Sequence, residues 1–222
     1  MASDSIPDCG FLSGASERLK DLLEGQATEI RLGQGDILFE QGDDGDALFA
    51  ITEGSLEFSI LSAAGRKLSL DIMRPGAIFG EIALFDPGPR TATATALEPS
   101  RVRRIRNPDV LKQIEQHPEL AADMIRLAGQ RMRWMNMQLN EQVFLPISAR
   151  LARKLLHLTG EPGSNTLSMS QSELAEFVGA TREAVSKTIS AWKRTGVIEA
   201  TRGGLIIQDR AALTRLADPD LI

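Results

Sequence analysis

Residues 80–94 read GEIALFDPGPRTATA. An acid, Glu81, follows a glycine, and a base, Arg90, precedes a hydroxyl residue, with a loop of Asp, Pro and Gly between them. Opposite charges at the two ends of a turn-rich loop suit a ligand with hydroxyls at one end and a negative charge at the other. A direct pair between Glu81 and Arg90 is the alternative that this spacing leaves open. The stretch also declares its backbone. In TATATAL the alternation is strict, so a strand here shows threonines on one face and alanines on the other. Small inward alanines leave room for a pocket and serve a close sheet-to-sheet contact equally well.

On both sides of this segment the texture is the same. From about residue 28 to 106, short β-prone runs (TEIRL, DILFE, ALFAITE, SLEFSIL, KLSLDIM, TATATALE) are separated by Gly33, Gly35, Gly42, Gly45, Gly54, Gly65 and Gly76. Short strands with glycine turns at this spacing predict a jelly roll or small barrel. Asn107-Pro108-Asp109 then opens a helix, with Asn as cap and Pro in the first turn. His117-Pro118 closes it and starts another.

From about Pro118 to Val143 glycine and proline are absent except for Gly129. Apolar residues recur at Met124, Ala128, Met132, Met135, Leu139 and Val143, and a second stripe runs through Leu120, Leu127 and Trp134. Two stripes need two surfaces to bury against. One is the chain's own β domain; the other is most economically the same helix of a second subunit, in a two-fold coiled coil.

Past Phe144-Leu145-Pro146 comes the helical run ISARLARKLLHLTG, then the turn-forming loop EPGSNTL. MSQSELAEFVGATREAVSKTISAWKRTGVI follows. Ser170 and Glu173 have the spacing of a capping box, Gly179 permits a tight turn, and Thr181 can cap a second helix. In that helix Val185, Ile189 and Trp192 share one face, and Arg182, Glu183, Ser186, Lys187, Ser190 and Lys193 the other. A glycine-turned helix pair with a mostly basic outer face is the helix-turn-helix pattern. GVIEATRGGLIIQD adds strand, Gly-Gly turn and strand, the wing of a winged helix.

Charge fits this division. The chain of 222 residues has a net charge of −5, yet residues 147–222 carry 10 basic and 8 acidic residues against 15 and 22 before them. The last third is therefore the part suited to an anion. A hydrophobic content of 42% suffices for two cores. The apolar runs are too short for a membrane span, and MASDSIPDCG lacks the pattern of a secretory signal, so a cytoplasmic protein is expected.

The order of these features resembles the CRP/FNR family of bacterial transcription regulators, from about residue 10 to 210. The likeness is carried by the glycine-punctuated roll, by G-E-I-A-L followed by R-T-A, by the long helix, and by V-G-A-T-R-E-A-V at 178–185. It implies an α+β fold: an N-terminal β roll (jelly roll) of the cyclic-nucleotide-binding type at 1–117, a dimerisation helix and hinge at 118–145, and a winged helix-turn-helix at 146–222. In the family the first motif is a phosphate-binding cassette. The resemblance then implies that Gly80 admits the sugar, Glu81 accepts from the ribose 2′-hydroxyl, Ile82 and Ala83 belong to a short helical turn directed at the ligand, and Arg90, Thr91 and Ala92 hold the cyclic phosphate. The base falls to Met135 and Asn136, where the cAMP receptor pattern has a Thr-Ser pair. Methionine covers a base face, and Asn136 both donates and accepts, so it suits adenine or guanine. Pro146 stands where an acidic cap is usual.

The implied DNA-contact set is Ser170, Gln171, Thr181, Arg182, Glu183, Ser186 and Lys187, with lysine in place of the usual arginine at 187. The implied molecule is a homodimer joined through 118–143 that binds palindromic DNA in response to cAMP, placed ahead of cGMP, with RNA polymerase as a further partner and Glu161 to Thr166 as a candidate surface. A different effector, such as a cyclic dinucleotide, or none, is the runner-up; a sensor acting through protein contacts is a third. Cys9 alone cannot supply an iron–sulfur or zinc site, and His117 and His157 lie in helical regions, away from any haem or cupin centre in the roll. No enzymatic activity is expected.

Overall fold

The computed structural model describes residues 7, 9–159 and 165–218. Strands β1 (Thr28–Leu32), β2 (Ile37–Phe39), β3 (Ala47–Glu53), β4 (Leu56–Leu61), β5 (Lys67–Met73), β6 (Ile78–Phe79), β7 (Thr93–Ala96) and β8 (Ser100–Arg106) form two four-stranded antiparallel sheets, ordered β1-β8-β3-β6 and β2-β7-β4-β5. Every expected strand is present. Two that the sequence reading did not separate out are β6, only two residues long, and β8, SRVRRIR, whose arginines mask the apolar period of Val102 and Ile105.

The alternation of the TATATA segment decides what lies inside the roll. Ala92, Ala94 and Ala96 are buried and the intervening Thr93 and Thr95 half-buried. Their small side chains make room for Phe39, Phe49, Phe58 and Phe79. The Phe49 and Phe79 rings stack at 5.3 Å, and Phe58 meets Phe79 edge-on at 4.9 Å. Such pairs each contribute about 0.5–1.5 kcal/mol beyond burial. The other face of the β3 sheet turns Leu48, Ala50, Ile78 and Ile105 to a second core.

That second core is completed by α1 (Glu17–Gly25), by α3 (Asn107–Gln116) and by the first part of α4 (Glu119–Phe144). The Ser16 hydroxyl caps α1 and meets the buried Asp123 of α4. Two expectations need correction. Asn107 does not cap α3 with its side chain: it is buried, and its Nδ2 donates to Gly45 O and Ala83 O, both at 3.1 Å. Met124 belongs to the inner stripe with Leu120 and Leu127, at 4% exposure, because one turn of helix faces the roll more broadly than a strict heptad allows. Ile125, Met132, Met135, Leu139 and Val143 remain exposed.

The chain divides into two compact units: Leu70–Trp134 with the chain up to Leu61, and Ser62–Ser69 with the chain from Met135 on. In the second unit, α5 (Ile147–Leu158) starts after Pro146. It packs with α6 (Gln171–Val178), α7 (Arg182–Arg194) and α8 (Arg210–Ala217), the last not foreseen from sequence. A three-stranded sheet, β10 (Ile198–Thr201), β11 (Gly204–Ile207) and β9 (Thr166–Leu167), forms the wing.

Candidate functional site

The loop of residues 80–91 is shaped by one glycine. Gly80 has φ +88, a conformation L side chains rarely adopt. A Cβ there would stand 2.7 Å from Ala47 O and 2.8 Å from Arg90 Nη1. With glycine at this position the backbone approaches the arginine closely. Glu81, 4% exposed, follows in helical conformation, and the short α2 (Ile82–Phe85) begins after it. Ala83 is buried and Ile82 is exposed.

Arg90 is held by its own backbone. Its N–H donates to Asp43 O at 2.7 Å and its carbonyl accepts from Gly42 N at 2.9 Å, so the loop of acids and glycines before β3 straps it in place. The guanidinium lies 4.5 Å from the Phe39 ring centroid and 5.2 Å from that of Phe49. Nη2 donates to Ala47 O at 2.9 Å and stands 3.5 Å from Asp46 Oδ1. Nε and Nη1 are buried with no hydrogen-bond partner among the described residues. Burial holds this guanidinium below its usual pKa range, and Asp46 acts against that shift. A buried cation with two idle donors is costly unless an anion completes it. Thr91 is exposed beside it and Ala92 buried.

Glu81 and Arg90 do not pair with each other. The ion partner of Glu81 is Arg131 of α4, whose Nε stands 3.2 Å from Oε1. The same guanidinium donates to Ile78 O at 2.8 Å and meets Met73 Sδ at 3.4 Å. Sequence reading passed over Arg131, Asp46 and Arg104. One signal was present for the first: Arg131 falls within the inward stripe of Leu127 and Trp134, where a charge requires a buried partner. Met135 and Asn136 are exposed residues of α4 and fall in the second unit.

In the second unit the capping box forms in full. Glu173 N donates to Ser170 Oγ at 3.2 Å and Ser170 N to Glu173 Oε2 at 2.7 Å. Gly179 ends α6 in the left-handed conformation. Thr181 caps α7, accepting from Ala184 N at 3.2 Å. Val185, Ile189 and Trp192 are buried, which fixes the rotation of α7. Arg182, Glu183 and Lys187 are thereby exposed together, with Ser186 half-buried between them; Ser170 is exposed and Gln171 half-buried at the start of α6. The carboxyl of Glu183 is held below its usual range by its own backbone N–H and the Thr181 hydroxyl. Most of the candidate Glu161–Thr166 surface lies outside the described residues.

The cyclic nucleotide-binding domain family matches residues 29–117, and the Crp-like helix-turn-helix domain family matches residues 149–216. The chain is 30% identical to a CRP-like cAMP-activated global transcriptional regulator of Mycobacterium tuberculosis, over 94% of this chain and 96% of that one. It is 30% identical to a cyclic AMP receptor protein of Thermus thermophilus, over 83% and 85%. Among solved structures, a CRP-family transcriptional regulator of Thermus thermophilus, 25% identical, superimposes with a TM-score of 0.72 over 85% of this chain and 96% of that one. A c-di-GMP-responsive global regulator of Xanthomonas campestris, 20% identical, shares the fold with a TM-score of 0.76 over 86% and 98%. A β roll of the cyclic nucleotide-binding domain family followed by a Crp-like helix-turn-helix defines a transcription regulator of the CRP type. This chain belongs to the CRP/FNR family of such regulators. The relatives named are regulators of transcription, not enzymes. Among the described residues no helix is long and apolar enough to cross a membrane.

Proposed function

We propose that the protein is a homodimeric cytoplasmic regulator whose DNA binding is governed by a purine cyclic nucleotide, cAMP ahead of cGMP. The observation that carries this is the buried Arg90, with Nε and Nη1 idle beside the left-handed Gly80. A cyclic phosphate is an acceptor of the kind this buried, partly unpaired cation lacks. Thr91 and Ala92 add a hydroxyl and a backbone N–H, and Glu81 takes the ribose 2′-hydroxyl while Ile82 and Ala83 shape the turn. Met135 and Asn136 bear on the base, and the exposed stripe of Ile125, Met132, Leu139 and Val143 joins two copies between residues 118 and 143. The ligand therefore touches the helix that sets the distance between the two recognition helices, which gives it differential contacts with two states of the dimer. RNA polymerase is the expected protein partner of the DNA-bound form.

Calorimetric titration of the purified dimer with cAMP, cGMP and a cyclic dinucleotide, each with and without operator DNA, tests this reading. cAMP should bind and raise DNA affinity, and Asn136→Ala should narrow the gap between cAMP and cGMP, because Arg90 still holds their common phosphate. Equal losses for both ligands would count against base reading by Asn136; binding of the dinucleotide alone would favour a different effector class.

For DNA, Ser170, Gln171, Thr181 and Ser186 position α7 on the backbone, while Arg182, Glu183 and Lys187 read base edges. Lysine lacks the planar fork that reads guanine with two bonds. A palindrome with half-sites about one helical turn apart is expected, strict where Arg182 and Glu183 reach and permissive at Lys187. Arg182→Ala should cost about 1–3 kcal/mol and relax one symmetric pair of positions. Selection from a random DNA library checks this, and an asymmetric site would exclude it.

A further inference from the structure

Asp46 stands between two guanidinium groups. Its Oδ2 accepts from Arg104 Nη2, while its Oδ1 is 3.5 Å from Arg90 Nη2, at the limit of a hydrogen bond. Arg104 reaches this place because β8 pairs with β3 so that Arg104 lies opposite Phe49 and Arg106 opposite Ala47, next to the residue that carries the carboxylate. An aspartate beside a buried arginine ordinarily takes the planar fork with two parallel bonds. Here that has not happened: Nε and Nη1 of Arg90 have no partner among the described residues, and Nη2 is shared with Ala47 O. The Asp46 side chain is 60% exposed, and the partner that holds it by a hydrogen-bonded ion pair is Arg104, at 29%.

We infer that Arg104 is a positioning residue for the anion end of the pocket: it draws the Asp46 carboxylate to itself and thereby keeps the fork of Arg90 open for a ligand phosphate. The inference rests on the proposal that Arg90 takes a cyclic phosphate. Without Arg104, Asp46 closes on Arg90, the nearest remaining cation, and an incoming phosphate must displace it. The electrostatics agree, since Asp46 is the leading charge favouring the cationic form of Arg90 and Arg104 the leading charge opposing it.

The test is a double-mutant cycle on the full-length protein, with affinity for cAMP and for inorganic phosphate read by calorimetry and folding checked by thermal melting. Arg104→Gln should weaken cAMP binding about tenfold, within the usual range for coupled sites. Arg104→Lys keeps the charge and should keep most of the affinity. Asp46→Asn should bind at least as tightly as the wild type, and in that background Arg104→Gln should have no further effect. A loss from Arg104→Gln that is equal in both backgrounds means that Arg104 touches the phosphate itself and overturns the positioning role, as does wild-type affinity in the single variant. Should Arg104→Gln fail to fold, Asp46→Asn alone decides, because weaker binding in it contradicts competition. Wild-type protein that binds phosphate but no cyclic nucleotide removes the proposed effector and leaves the cycle to be read with phosphate. Binding of neither overturns both.

Discussion

Arg90→Leu should abolish the proposed cyclic nucleotide binding at ligand concentrations that saturate the wild type, while the protein stays folded. The side chain is 4% exposed, and its Nε and Nη1 have no hydrogen-bond partner among the described residues. Removing one member of a buried ion pair costs about 3–5 kcal/mol, or roughly two to four orders of magnitude in affinity. Little stability is at risk, because leucine fits the apolar setting of Phe39 and Phe49 and the Asp46 carboxylate left behind is exposed and keeps Arg104. Glu81→Gln should be milder, since an amide oxygen still accepts from a ribose hydroxyl. Calorimetry on the purified variant is the check: affinity like that of the wild type would mean that the anion site is not at Arg90.

The second large effect concerns stability. Arg131→Leu leaves the Glu81 side chain, 5% exposed, without its cation and removes a hydrogen bond to the Ile78 carbonyl. The loss should be about 3–5 kcal/mol, lowering the melting transition of the first unit by roughly 6–20 °C. Glu81→Gln in the same chain should recover much of it, because the unpaired buried charge is gone. Scanning calorimetry of the single and double variants measures this. An Arg131→Leu protein melting with the wild type would show that the pair contributes nothing to the fold.

Most of the architecture could be read from local rules. The period of two in TATATA, the capping box at Ser170 and Glu173, the turn at Gly179 and the apolar triad Val185, Ile189 and Trp192 each depend on residues a few positions apart, and all are found where that logic puts them. Elements whose pattern is masked escaped it. β8 hides two core residues among four arginines, and Asn107 looks like a cap because a cap and a buried amide have the same sequence signature.

By itself, the sequence singled out Glu81 and Arg90 as the two ends of the proposed ligand site, and it determined the helix face that exposes Arg182, Glu183 and Lys187, because helix geometry depends on neighbours along the chain. Only the tertiary structure decided which charges meet. Glu81 pairs with Arg131, fifty residues away, and Asp46 is shared between Arg90 and Arg104 through the register of β3 on β8. Spacing along the chain left a direct pair between Glu81 and Arg90 open as an alternative. Sheet register and helix docking brought other cations and acids closer, and electrostatic pairing in a buried site is set by distance in space.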